Sequence, residues 1–98
     1  MMETQPFIAA EAYCEHYEIE HSFIVALEQS GLLSTAVVED KMYLQPEQLP
    51  DLEKYTRLHY DLNINLEGIE TIAYLLDHIQ HLQREVLQLR NKLSVYEG

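Results

Sequence analysis

A chain of 98 residues is one domain's worth of protein, and a domain this short buries only about 60 to 65% of the surface its unfolded chain exposes, so it gains from a partner that covers more. With 47% hydrophobic and 23% charged residues, the composition is that of a folded globular protein and excludes a disordered tail. The net charge of −11 repels phosphate backbones and attracts basic surfaces.

The charge is also one-sided. Residues 1–40 carry eight acids and no Lys or Arg, whereas residues 46–98 carry nine acids against five bases. Acids without intervening bases cost self-repulsion and add little solubility beyond the first few. The pattern therefore favours a basic partner over a merely solvated face. Cys14 stands alone, which excludes an intramolecular disulfide, and no basic segment followed by an apolar one opens the chain as a secretion signal. A reducing, cytoplasmic location is expected. No uncharged stretch approaches the roughly 18 to 20 apolar residues of a membrane span.

In chain order, Ala10, Tyr13, Cys14 and Tyr17 recur at three- and four-residue spacing and predict a short amphipathic helix from Ile8 to Tyr17. A second helix is expected from about Glu20 to Ser30, stopped by Gly31, the residue type that most readily takes the left-handed conformation after a helix. The few residues between them, around Glu18 and Ile19, match a helix-turn-helix. Two β-prone runs, Leu32 to Val38 and Met42 to Leu44, flank the polar tip Glu39-Asp40-Lys41 and predict a hairpin, or wing.

Pro46 and Pro50 bracket the start of a third helix that continues to about Tyr60, because proline is tolerated in a first turn and disfavoured later. Asn63-Ile64-Asn65 breaks the pattern, and Asn65 suits the N-cap of a helix running from Leu66 nearly to the C-terminus. There Ile72, Ile79, Val86 and Leu93 fall at heptad position a, and Leu75, Leu82, Leu89 and Tyr96 at position d. Such a seam wants a partner helix, and a homodimer is expected. A parallel register would pair Glu85 with Arg90 and Lys92 with Glu97, pairs worth only a few tenths of a kcal/mol, so an antiparallel arrangement is also open.

The inventory for catalysis is thin. There is no glycine-rich phosphate loop and no nucleophile elbow. His78 and His81, beside Asp77, have chelate spacing, but solvated positions on a coiled coil are the stronger reading. Cys14 and His16 point away from each other on a helix, so Cys14 reads as a small buried hydrophobe. The second helix holds five consecutive apolar residues, Phe23 to Leu27, which no helix can turn toward one core. Either a partner covers some of them or the helix is squeezed between its own domain and the coiled coil. It also lacks the Arg, Lys and Asn side chains that read bases and hold phosphates.

The order helix, turn, helix ending Gly31-Leu32-Leu33, wing, third helix and the block Arg57-Leu58-His59-Tyr60-Asp61-Leu62-Asn63-Ile64-Asn65-Leu66-Glu67-Gly68-Ile69 before a coiled coil resembles the MerR superfamily of winged-helix proteins over nearly the whole chain. Within it the chain looks most like the CbpM-like chaperone modulators. Those are small dimers that bind the J domain of a DnaJ- or CbpA-like co-chaperone and restrain its work with DnaK. In DNA-binding members the second helix resembles "LRYYE" before its Gly-Leu-Leu, its arginine and following tyrosine touching the DNA backbone. Aligned on Glu28 and Gly31, this chain has Val25 in place of that arginine and Leu27 in place of the second tyrosine. Met42 stands where the wing's arginine would, before Tyr43, and Glu18 where the turn glycine would.

The expected fold is therefore mostly α, a MerR-like winged helix-turn-helix with a short β-hairpin wing over residues 1–62 and a coiled-coil dimerisation helix over residues 63–98. The resemblance implies a non-enzymatic modulator that binds a J domain by charge complementarity. Glu11, Glu15, Glu18, Glu20 and Glu28 would meet the basic partner, with Val25 and Leu27 as apolar contacts. No cofactor or metal is expected. A DNA-binding regulator is the alternative.

Overall fold

The computed structural model describes residues 7–97, the last of them by its backbone alone. Glu3, counted among the eight acids of residues 1–40, and the side chain of Glu97, expected opposite Lys92, lie outside what is described. Three antiparallel strands, β1 (Ile8–Ala9), β2 (Thr35–Val38) and β3 (Lys41–Leu44), form a sheet of order β1-β3-β2. Helices α1 (Ala10–Tyr17), α2 (His21–Gln29), α3 (Leu49–Thr56) and α4 (Leu66–Glu97) complete the chain. The mostly helical winged-helix architecture with a long last helix is the one expected.

The helix-turn-helix rests on two similar stops. At the end of α1 the Glu18 N–H donates to the Glu15 carbonyl (3.4 Å) and the Ile19 N–H to that of Cys14 (3.0 Å), with Glu18 left-handed at φ 56°. This is a Schellman motif whose following residue, Ile19, is buried. At the end of α2, Gly31 takes φ 82° and the Leu32 N–H reaches the Leu27 carbonyl at 3.0 Å. The first stop puts a glutamate where glycine is cheapest, a local cost that the buried Ile19 offsets.

The first helix starts later than its periodicity suggests. Ile8 and Ala9 are not helical; they pair with Leu44 and Tyr43 of β3. Two residues carry no period of their own, and the ladder bonds offered by β3 decide their conformation. The wing is a tight hairpin. Val38 pairs with Lys41, so the turn is Glu39-Asp40 alone, both residues left-handed (φ 51° and 66°) as a two-residue hairpin turn requires.

The third helix begins as a single 3-10 turn, Pro46–Gln48, passes into α3 with Pro50 in its first turn, and ends in a π-helical turn, Arg57–Asp61. There the Leu62 N–H reaches back to the Arg57 carbonyl (3.2 Å) and the Ile64 N–H to that of Leu58 (3.0 Å). This wide turn aims His59 and Tyr60 at α2. The His59 ring stacks on Phe23 (centroids 4.7 Å, 13°), and Tyr60 meets Phe23 edge-on at 5.4 Å. The Nδ1 of His59 lies 2.8 Å from the Ile64 carbonyl, which can only accept, so that nitrogen carries the proton. The Tyr60 hydroxyl accepts the N–H of Glu20 (3.1 Å), satisfying a donor just ahead of α2.

Phe23, Ile24, Leu27, Leu33, Leu44, Leu52 and Tyr55 are buried in one core with Tyr13 and Cys14 of α1. Ile69, fully buried, carries α4 into the same core, with Ile64, Leu66 and Ala73 packed against it. The packed unit thus runs past residue 62 and includes the first two turns of α4. Burial pushes the Cys14 thiol above its ordinary 9.0, so at neutral pH it is an uncharged filler, as expected from its helix position. Burial likewise raises the Tyr13 hydroxyl, which has no bonded partner. The neighbouring Thr56 hydroxyl partly opposes that rise but is already committed to the Leu52 carbonyl at 2.7 Å.

Asn65 caps α4. Its Oδ1 accepts the Gly68 N–H (2.8 Å), the third helical position, and its carbonyl accepts the N–H of Ile69 (3.0 Å). A Cβ on Gly68 would lie 2.6 Å from Ile64 Cγ2 and 3.1 Å from that same Oδ1. Gly68→Ala is therefore expected to destabilise the fold by about 1–3 kcal/mol, although alanine is the better helix former. Urea unfolding checks this, and an unchanged or raised midpoint would show that the close approach is not needed.

Candidate partner-binding surface

The acids expected to meet a partner stand on the surface. Glu11, Glu15 and Glu18 are spaced four and three residues apart and line one side of α1 and its left-handed stop, all exposed. Glu20 lies in the turn, where the Ser22 hydroxyl donates to its carboxylate (3.3 Å), and Glu28 lies exposed near the far end of α2. From Phe7 to Asp40 no Lys or Arg interrupts them. A charge partner for these carboxylates must come from elsewhere.

The two apolar positions part company. Val25 is half-buried with one side outward, as is Ala26. Leu27 is fully buried and belongs to the core. The expectation that Leu27 touches a partner is corrected: it is a core residue. Of five consecutive apolar residues, Phe23, Ile24 and Leu27 turn inward at helical spacing, so the second helix is squeezed by its own domain on that face. The residues that hold it, His59 and Tyr60, belong to the segment between α3 and α4. Neither carries a periodic signal that would single it out in the sequence.

The positions that align with DNA contacts present no cation. Val25 replaces the arginine of the second helix and Leu27 is inaccessible. In the wing, Met42 is half-buried on β3, and the one base there is Lys41, beside Glu39 and Asp40 of the turn. The helix-turn-helix and wing are in place, while their outward charge is negative.

The seam of α4 is the second exposed feature. Ile72 is half-buried, but Leu75, Ile79, Leu82 and Val86 are each 47–49% exposed, and Leu89, Leu93 and Tyr96 more so. Leu76 and Leu87 widen the apolar stripe beyond a strict two-position seam. The chelate spacing on this helix resolves into local contacts. His78 stacks against Tyr74 at 6.1 Å, and His81 lies 3.5 Å from Glu85. Among the described residues no group of three His, Cys, Asp or Glu side chains could hold a metal ion, and no helix is long and apolar enough to cross a membrane.

No curated protein and no solved structure matches the chain significantly. A family model does. It is described as that of a MerR HTH family regulatory protein, and it matches residues 8–91, from β1 through most of α4. With its helix-turn-helix, its wing and most of its long last helix inside that match, the chain belongs to the MerR helix-turn-helix family of regulatory proteins.

Proposed function

We propose that this family member is a non-enzymatic chaperone modulator of the cytoplasm that binds a protein, the J domain of a DnaJ- or CbpA-like co-chaperone, and restrains its action with DnaK. The observation that carries this reading is the inversion of charge on an intact helix-turn-helix. Exposed Glu11, Glu15, Glu18, Glu20 and Glu28 surround a second helix whose arginine position is Val25, with no Lys or Arg before Lys41. Counterion release from phosphates neutralised by Lys and Arg is the main source of DNA affinity, so a surface without those cations forgoes it, and the remaining field repels the duplex. The same field suits a basic helix. It would steer encounter, while the apolar side of Val25 slows dissociation.

The family match favours a second reading, a regulator that still binds DNA, since helix-turn-helix members of such families read operators. Lys41 alone on the wing is a poor substitute for the missing arginines. The resemblance of the chain to the CbpM-like chaperone modulators supports the protein-binding reading instead.

The chain is proposed to act as a homodimer through Ile72, Leu75, Ile79, Leu82, Val86, Leu89, Leu93 and Tyr96. An apolar stripe of this length is expensive to leave in water, and heptad seams are covered by another helix. Leu82→Glu is expected to turn a dimer into a monomer in sedimentation equilibrium, whereas Tyr74→Glu, on the flank of the helix, leaves the dimer. A dimeric Leu82→Glu protein would place the interface elsewhere. For the partner, calorimetric titration against the isolated J domain of the host's co-chaperone should give saturable binding that weakens roughly tenfold from low to moderate salt, about 1.4 kcal/mol. Absent or salt-independent binding would contradict the proposal.

A further inference from the structure

The exposed acids are spread over two helices and do not by themselves say where a partner sits. A groove of about 360 Å³ does: it opens where the wing faces the amino-terminal ends of α1 and α2, and is lined by Glu11, His21, Val37, Asp40, Lys41 and Met42. Its floor is apolar. Val37 is 67% exposed on the outer strand of the sheet, and Met42 lies half-buried next to it across the ladder. Its lining carries carboxylates from two different elements, Glu11 from α1 and Asp40 from the wing turn. The lone Lys41 of the lining is thus outnumbered.

We propose that this groove seats an amphipathic helix of a partner protein, one branched apolar side chain resting on Val37 and Met42 while flanking Lys or Arg side chains reach Glu11 and Asp40. The inference deepens the protein-binding reading above and rests on it for the identity of the partner. Residues three and four apart on a helix share a face, so one turn of such a segment presents an apolar side chain between two cations. That pattern complements an apolar floor between two acids. DNA would put phosphates against the same carboxylates and find one cation. A small molecule is not the occupant the groove suits, because its polar groups are flexible exposed side chains and not convergent buried ones.

The wing turn supports the assignment. Glu39 and Asp40 both sit at positive φ, in a turn that favours Asn-Gly. Two acids are kept there at a conformational cost that glycine would avoid, as happens where a strained position serves a site. Val37, close to that turn, is exposed on the same face as its ladder partner Met42.

The test is an amide-resolved NMR titration of the full chain with two probes, the isolated J domain of the host's co-chaperone and a helical Leu/Lys peptide of amphipathic design. The J domain is expected to shift the amides of Glu11, His21 and Val37 to Met42. Val37→Glu and Asp40→Lys should each weaken it roughly tenfold, while Asp77→Lys, exposed on α4 away from the groove, weakens it by no more than roughly threefold. If the J domain instead perturbs only α4 or the Glu28 end of α2, the groove assignment is overturned and the chaperone reading stands. If the J domain fails to bind but the peptide shifts the groove amides, the groove assignment holds and the J-domain reading falls. Groove amides unmoved by either probe overturn the groove.

Discussion

The packing of Phe23 against His59 and Tyr60 holds the rest of the arrangement in place. It joins the second helix of the helix-turn-helix to the π-helical turn that leads into α4, and it does so with two rings contributed by one wide turn. Without that contact Phe23 would lose its two aromatic neighbours, and the Tyr60 hydroxyl would no longer satisfy the backbone ahead of α2. Ile69, sunk into the core one turn past the Asn65 cap, fixes the other end of the same connection. The outward acids of α1 and α2 are therefore held in a set relation to the long helix that leaves the domain.

On this frame, the class of partner proposed follows from charge. Helix-turn-helix geometry can present any side chains on the outer side of its second helix, and shape alone does not select DNA. In this chain the inner side is filled by Phe23, Ile24 and Leu27, and the outer side carries Val25 and Glu28 next to the acids of α1. The wing follows suit, with Glu39 and Asp40 at its tip. The surface that would approach a duplex is thus apolar at its centre and negative at its edges. That combination is unsuited to phosphates and suited to the basic, partly apolar face of another protein.

Much of this is legible in the residues because the signals are local. The left-handed stop at Gly31, the hairpin around Glu39-Asp40, the proline-led third helix and the Asn65 cap each depend on a few adjacent side chains. The heptads of α4 declare themselves by period, and the one-sided charge needs no structure at all. What stays hidden depends on contacts between distant segments. Strand β1 exists only because β3 pairs with Ile8 and Ala9. The π turn at Arg57 has no local mark, and so nothing in the sequence announces the aromatic contact with Phe23. Leu27 reads as a surface residue because a run of apolar residues does not reveal its own phase, and the groove draws on α1, α2 and the wing together.

Everything proposed for the partner rests on the proposal that this helix-turn-helix has no hold on nucleic acid. Fluorescence anisotropy of a labelled duplex from the chain's own upstream region, titrated with the full-length protein at low salt, addresses this most directly, because low salt gives any electrostatic attraction its best chance. The charge inversion predicts no saturable rise in anisotropy. A saturable rise that survives competition by unrelated duplex would contradict it and make DNA the partner.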